Sequence, residues 1–272
     1  MNNTESGRWA LWLSFPLAVL LAVASLGGLF LPSTYANETR IYAAQGVGND
    51  AGNLVIVVPV LLVSAMLALR GSVAARLVWM GTLVDLVYDF IYYSLAVHFN
   101  SMFLVYCGVL GLSFYALAGS LPSLPIPEIA RRYGSRAPVK TTATVLLLMT
   151  LGTVFHWLSE TIPALLAGHA PQSVRDSGLL TNPAAVLDLA FMAPALMIAA
   201  ILLLRRKPLG FVLGPVLLTF LALGSAVLAS MGTVMALRGL ETGRALIAIA
   251  LGIAAACAVL LALCLRGEKS RA

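Results

Sequence analysis

Charge is what this sequence has least of. Asp, Glu, Lys and Arg together make up 10% of its 272 residues, where a soluble domain carries about 25%. With 60% hydrophobic residues and a mean hydropathy of +0.96, that scarcity excludes an ordinary soluble enzyme. No segment between the apolar runs is long enough for a soluble domain. Histidine is also scarce, with three in all. His98 and His169 fall at the edges of apolar runs, which leaves too few for paired haem ligation. The spacing His156-x-x-x-Glu160 is not the H-E-x-x-H of a zinc protease, and neither a G-x-S-x-G nucleophile elbow nor a P-loop occurs. The three cysteines, Cys107, Cys257 and Cys264, lie inside apolar runs without a C-x-x-C pairing and read as small core residues. No cofactor and no metal is therefore expected. The alternative weighed is a carboxylate and imidazole set from Asp89, His156, Glu160 and Asp188.

What the sequence does have is apolar length. Runs at 9–31, 53–69, 77–97, 101–121, 142–166, 183–204, 211–237 and 245–265 are each long enough to cross a hydrocarbon core, which takes roughly 17–25 residues. The expected fold is an all-α integral membrane protein of eight transmembrane helices, with the lipid bilayer as its first partner. Trp9 and Trp12 are placed as interfacial anchors of the first run. That run is too long for the usual h-region of a cleaved signal, and Tyr35-Ala36 is a poor cleavage site. Two polar stretches, 33–52 and 167–182, read as loops. The basic, Pro-containing stretch 122–141 reads as a linker between halves 1–121 and 142–272.

The formal net charge of +6 is no nucleic-acid signal, because the basic residues sit in the connections. With eight spans, thirteen of the seventeen Lys and Arg residues fall on the side of the N-terminus. The positive-inside rule then puts both termini in the cytoplasm of a cell-membrane protein. Arg131, Arg132, Arg136 and Lys140 in the linker are candidates for contact with anionic lipid.

Shifting the chain by 135 residues lays Asn53 on Asp188, Pro59 on Pro194 and Arg70 on Arg205, and brings Leu54, Leu61, Ala65, Leu67 and Leu69 onto identical residues. This pattern reads as two parallel four-helix repeats. Chance alignment of Leu- and Ala-rich helices is the alternative.

Polar side chains inside the apolar runs carry the functional argument, since an ionisable group there is expensive. Asp85, Tyr88, Asp89 and Tyr92 are spaced three and four apart, on one helical face. Two carboxylates one turn apart in a low dielectric repel each other, and a proton relieves that strain. Asp85 and Asp89 are therefore the proton-coupling candidates. An internal hydrogen-bond network tying helices together is the competing reading. Asn53, Tyr92, Tyr93, His156, Glu160 and Asp188 are expected to form an outward-facing polar pocket, with Tyr42 and Trp157 as aromatic walls. Glu160 and Asp188 reaching toward interfacial water, and His156 as a satisfied buried histidine, are the plainer alternatives. The 211–237 and 245–265 runs, uncharged and rich in small residues, read as scaffold.

The first expectation is a proton-linked carrier of an unidentified small solute rather than an enzyme. The alternatives are a membrane-embedded enzyme acting at the outer leaflet, and a non-catalytic sensor or assembly subunit. Few polar groups, chiefly Thr82 and Ser64, lie below Asp85 to form a route onward.

Overall fold

A computed structural model describes residues 8–134, 137–240 and 244–266. Among these residues there is no strand. Ten helices account for most of the described chain: α1 (Arg8–Phe30), α2 (Arg40–Leu69), α3 (Val73–Ala96), α4 (Phe103–Ser120), α5 (Ile126–Tyr133), α6 (Val139–Leu166), α7 (Gln172–Ser177), α8 (Pro183–Leu204), α9 (Gly210–Leu237) and α10 (Arg244–Cys264). Seven helices among the described residues are long and apolar enough to cross a membrane. Helix α3, 24 residues long, carries Arg76, Asp85 and Asp89 in addition to its apolar residues. The chain is a multi-pass helical membrane protein. Its outer surface is apolar, with Phe30, Val55, Leu104, Phe155, Phe191 and Val259 among the exposed side chains.

Local sequence explains several of the helix ends. Thr39 Oγ1 accepts the Tyr42 N–H at the start of α2, Ser72 Oγ accepts the Ala75 N–H at α3, and Asn182 Oδ1 accepts the Ala185 N–H at α8. Arg76 lies near the start of α3 and donates to the Ser120 and Ser123 carbonyl oxygens, at 2.9 and 3.2 Å. Its charge thus meets the carbonyl end of α4.

The stretch 33–52, expected as a loop, is helical from Arg40 onward, so that α2 is 30 residues long. Its polarity misled because it faces a polar interior rather than water. Its glycines have a packing reason as well. A methyl group at Gly48 would lie 2.4 Å from Met231 Cα, and one at Gly52 would lie 3.2 Å from Val227 Cα. Two small residues four apart let α2 lie directly against α9. The other expected loop, 167–182, contains the short α7.

Helix α9 is the centre of the bundle. It packs against α10, the first half of α2, α3 and α8, while α3 also lies against α4 and the second half of α2. The expected scaffold role of 211–237 is therefore incomplete, because α9 also supplies walls to the cavity described below.

Two local features recur at the same spacing. Helix α2 widens into a π-helical turn at Asn53–Val57, and α8 does so at Asp188–Met192. In each, the N–H of the residue after the turn (Val58, Ala193) donates to the carbonyl of its first residue (Asn53, Asp188). Pro59 and Pro194 follow, and a proline clashes with the carbonyl four residues back. Widening the preceding turn relieves that clash. Both helices then end alike: Arg70 and Arg205 have φ and ψ of −82° and 5°, and −80° and 5°. The next residues, Gly71 and Arg206, take positive φ of 92° and 49°. The closing hydrogen bonds Gly71 N to Ala68 O and Ser72 N to Leu67 O match Arg206 N to Leu203 O and Lys207 N to Leu202 O.

Candidate functional site

A cavity of about 540 Å³ opens between α2, α3, α6, α8 and α9. It lies in the half of the bundle away from the basic turns at 70–72 and 205–209, at the end where 31–39 and 167–182 connect the helices. Helix α3 contributes Asp85, Tyr88, Asp89, Tyr92 and Tyr93; α2 contributes Tyr42, Asn49 and Asn53. His156 and Trp157 come from α6, Asp188 from the π-turn of α8, and Phe220 and Gly224 from α9.

Hydrogen bonds hold most of the acidic groups in place. Asp89 accepts from Asn49 Nδ2 at 3.0 and 2.9 Å and from Asn53 Nδ2 at 2.8 Å. Asp188 accepts from Tyr88 Oη at 3.0 Å and Trp157 Nε1 at 2.7 Å. Asp50, behind the wall, accepts from Tyr35 Oη at 2.5 Å and Tyr93 Oη at 3.1 Å. Asn49 Nδ2 also reaches Tyr93 Oη at 3.1 Å, so the Asp50 and Asp89 groups form one network. Burial, reinforced by the Asp50 carboxylate, pushes the Tyr35 hydroxyl well above the ordinary tyrosine value, which keeps it a donor. Gly28 makes room for this pair, because a methyl there would overlap Asp50 Oδ2.

Asp85 differs from the others. It is 6% exposed, lines the cavity beside Gly224, and has no hydrogen-bond partner among the described residues. Its carboxylate is open to the cavity rather than sealed in protein, so a donor inside the cavity can reach it.

Below Asp85 the bundle is closed. A methyl at Gly81 would lie 2.5 Å from Val216 O and 2.4 Å from Thr219 Cβ. Thr82, Leu83 and Leu218, next to these residues in the chain, are completely buried. The cavity is therefore shut toward the basic turns.

Asn53, Asp85, Asp89, Tyr92, Tyr93, His156 and Asp188 all line this cavity, with His156 exposed at the rim, its ring 4.6 Å from that of Trp157. Glu160 does not. Its Oε1 accepts the Ser173 N–H at 2.7 Å, which pins the start of α7, and Thr39 Oγ1 donates to Asp176 O at the far end of α7. Helix α7 so lies across the mouth, with Ser173 and Ser177 on the cavity wall.

Tyr35, Asn49, Phe220 and Gly224 escape a reading of the sequence. Asn49 stands one turn before the expected Asn53, beside Gly48 and Gly52, and that spacing is the signal that could have found it.

No three His, Cys, Asp or Glu side chains converge as a metal site among the described residues. Ser159 Oγ donates to the backbone carbonyl of His156, not to its ring. The arrangement can bind a solute and hold or pass protons. Comparison with protein-family models, with curated proteins and with solved structures returns no match, so the functional reading rests on this geometry.

Proposed function

We propose that the protein binds a small solute in this cavity and carries it across the cell membrane, coupled to protons through Asp85 and Asp89. The observation that supports this most is the position of the cavity between two halves of matching local structure. The paired π-turns, 135 residues apart, each begin with a residue of the cavity wall, Asn53 and Asp188. In this reading α3 is the eighth span and the chain is an internal duplication of four helices. Both termini are cytoplasmic, and the cavity faces outward. A π-helical turn next to a proline is a place where a helix can change direction, and carriers need such places.

The basic linker fits the same orientation. In α5, Ile129 and Tyr133 are buried while Arg131 is exposed, as in a helix lying in the interface plane. Arg131, Arg132 and Lys140 would meet anionic lipid there. Arg136, expected to join them, lies outside the described residues.

The sealed layer beneath Asp85 favours a second reading, a sensor that binds its ligand without moving it. Reconstitution into vesicles with an imposed pH gradient separates the two. A carrier gives gradient-driven solute uptake that Asp85→Asn or Asp89→Asn reduces at least tenfold. Ligand binding with no uptake in the wild type supports the sensor.

A further inference from the structure

The chemistry of the cavity wall narrows what can occupy it. No lysine or arginine lines it among the described residues, while Asp85, Asp89 and Asp188 do. Asp89 and Asp188 already accept donors from Asn49, Asn53, Tyr88 and Trp157. Asp85 accepts none, yet it is buried and aimed into the space. A carboxylate in that position is short of one positively charged donor. An anion would meet three carboxylates and no lysine or arginine.

Apart from Gln45, Thr153, Asn182 and three serines, the remaining wall is aromatic and apolar. Tyr88 and Phe220 sit together with ring centroids 5.4 Å apart, Tyr42 and Tyr92 with centroids 5.9 Å apart, and Trp157 faces the same space. Aromatic faces attract a cation, most strongly when it is desolvated. Met192, Leu196 and Leu221 complete the wall and suit alkyl groups. A bare metal ion would instead need several converging ligands, and no three His, Cys, Asp or Glu side chains meet that way among the described residues. The volume of about 540 Å³ falls within the range of small-molecule pockets.

We infer that the cavity takes a small organic cation, its ammonium group held at Asp85 between the rings of Tyr88, Phe220 and Trp157. The inference rests on the reading of the cavity as a solute site and names the class of that solute.

The test uses the full chain in maltoside micelles, which contain no ammonium groups. The probes are choline and phenethylammonium, each beside an uncharged analogue of like shape, 3,3-dimethylbutan-1-ol and 2-phenylethanol. Trp157 is the cavity's tryptophan, whereas Trp9, Trp12 and Trp79 do not line it, so tryptophan emission that Trp157→Phe removes reports occupancy. At least one cation is expected to bind saturably and at least tenfold more tightly than its analogue. Asp85→Asn should erase that preference and Asp85→Glu should retain it. Comparison of the probes on the wild type alone stands even where a variant fails to fold. Analogues that bind as tightly as the cations, a preference that survives Asp85→Asn, or no response to any probe would each overturn the cation assignment. Acrylamide quenching separates this from the underlying reading. If acrylamide reaches Trp157 in those cases, an open cavity stands without its cation. If it does not, the solute site falls as well.

Discussion

Asp89 accepts three contacts from two asparagine side chains of α2, both of them buried. Removing one donor leaves a buried carboxylate under-paired, which costs about 1–3 kcal/mol. Asn53→Leu should therefore lower stability by about that amount in micelle unfolding. Adding Asp89→Leu should restore part of the loss, because replacing both partners with apolar groups removes the unpaired charge. A double-mutant cycle reads the coupling, and additive losses would show that the contact contributes nothing. At this scale the sequence showed one side of each pair. Asp85, Tyr88, Asp89 and Tyr92 announce a common face by their spacing, since helical period is local information. Asn49 and Tyr35 do not, because their partners stand 40 and 15 residues away in the chain. Glu160 was visible as a carboxylate, but its partner is a backbone N–H that no residue type reveals.

The helix ends at 70–72 and 205–207 share a fold but not a residue at the left-handed position. Gly71 takes positive φ freely, whereas Arg206 takes it against its own Cβ, at a cost of roughly 1–2 kcal/mol. Arg206→Gly should therefore stabilise the chain by about 1 kcal/mol, less whatever its 3.4 Å contact to Gly134 O contributes. An unchanged midpoint of unfolding would show that the turn is not strained. Where α2 crosses α9 the opposite holds: Gly48→Ala places a methyl 2.4 Å from Met231 Cα. Backbone cannot give way as a side-chain tip can, so a loss of about 1–3 kcal/mol is expected, with weakened Ser230 Oγ to Gly48 O bonding, now 2.7 Å. The same crossing explains why the first part of α2 was read as a loop. Glycine and asparagine disfavour helix in water, and their fit to α9 and to Asp89 becomes visible only once the distant helices are assembled.

At the scale of the whole molecule, the membrane character was legible, because it is carried by apolar runs along the chain. The contact that closes the cavity below Asp85 was not. That depends on Gly81 meeting Val216 and Thr219 across the α3 and α9 contact, which joins residues far apart in the chain. This contact is also where carrier and sensor must differ. A carrier has to open the layer that now buries Thr82 completely, while a sensor can leave it shut. With the native cysteines Cys107, Cys257 and Cys264 replaced, Ser225→Cys on the cavity wall should react with an impermeant thiol reagent from the loop end alone. Thr82→Cys should resist the reagent from both sides in the resting protein. Under a pH gradient with transported solute present, Thr82→Cys should become reactive from the basic end, and Ser225→Cys should lose reactivity from the loop end by the same fraction, since one rearrangement closes the first path as it opens the second. Thr82→Cys that stays unreactive during measured uptake would place the route elsewhere than between α3 and α9, and with it the two-half mechanism would fail.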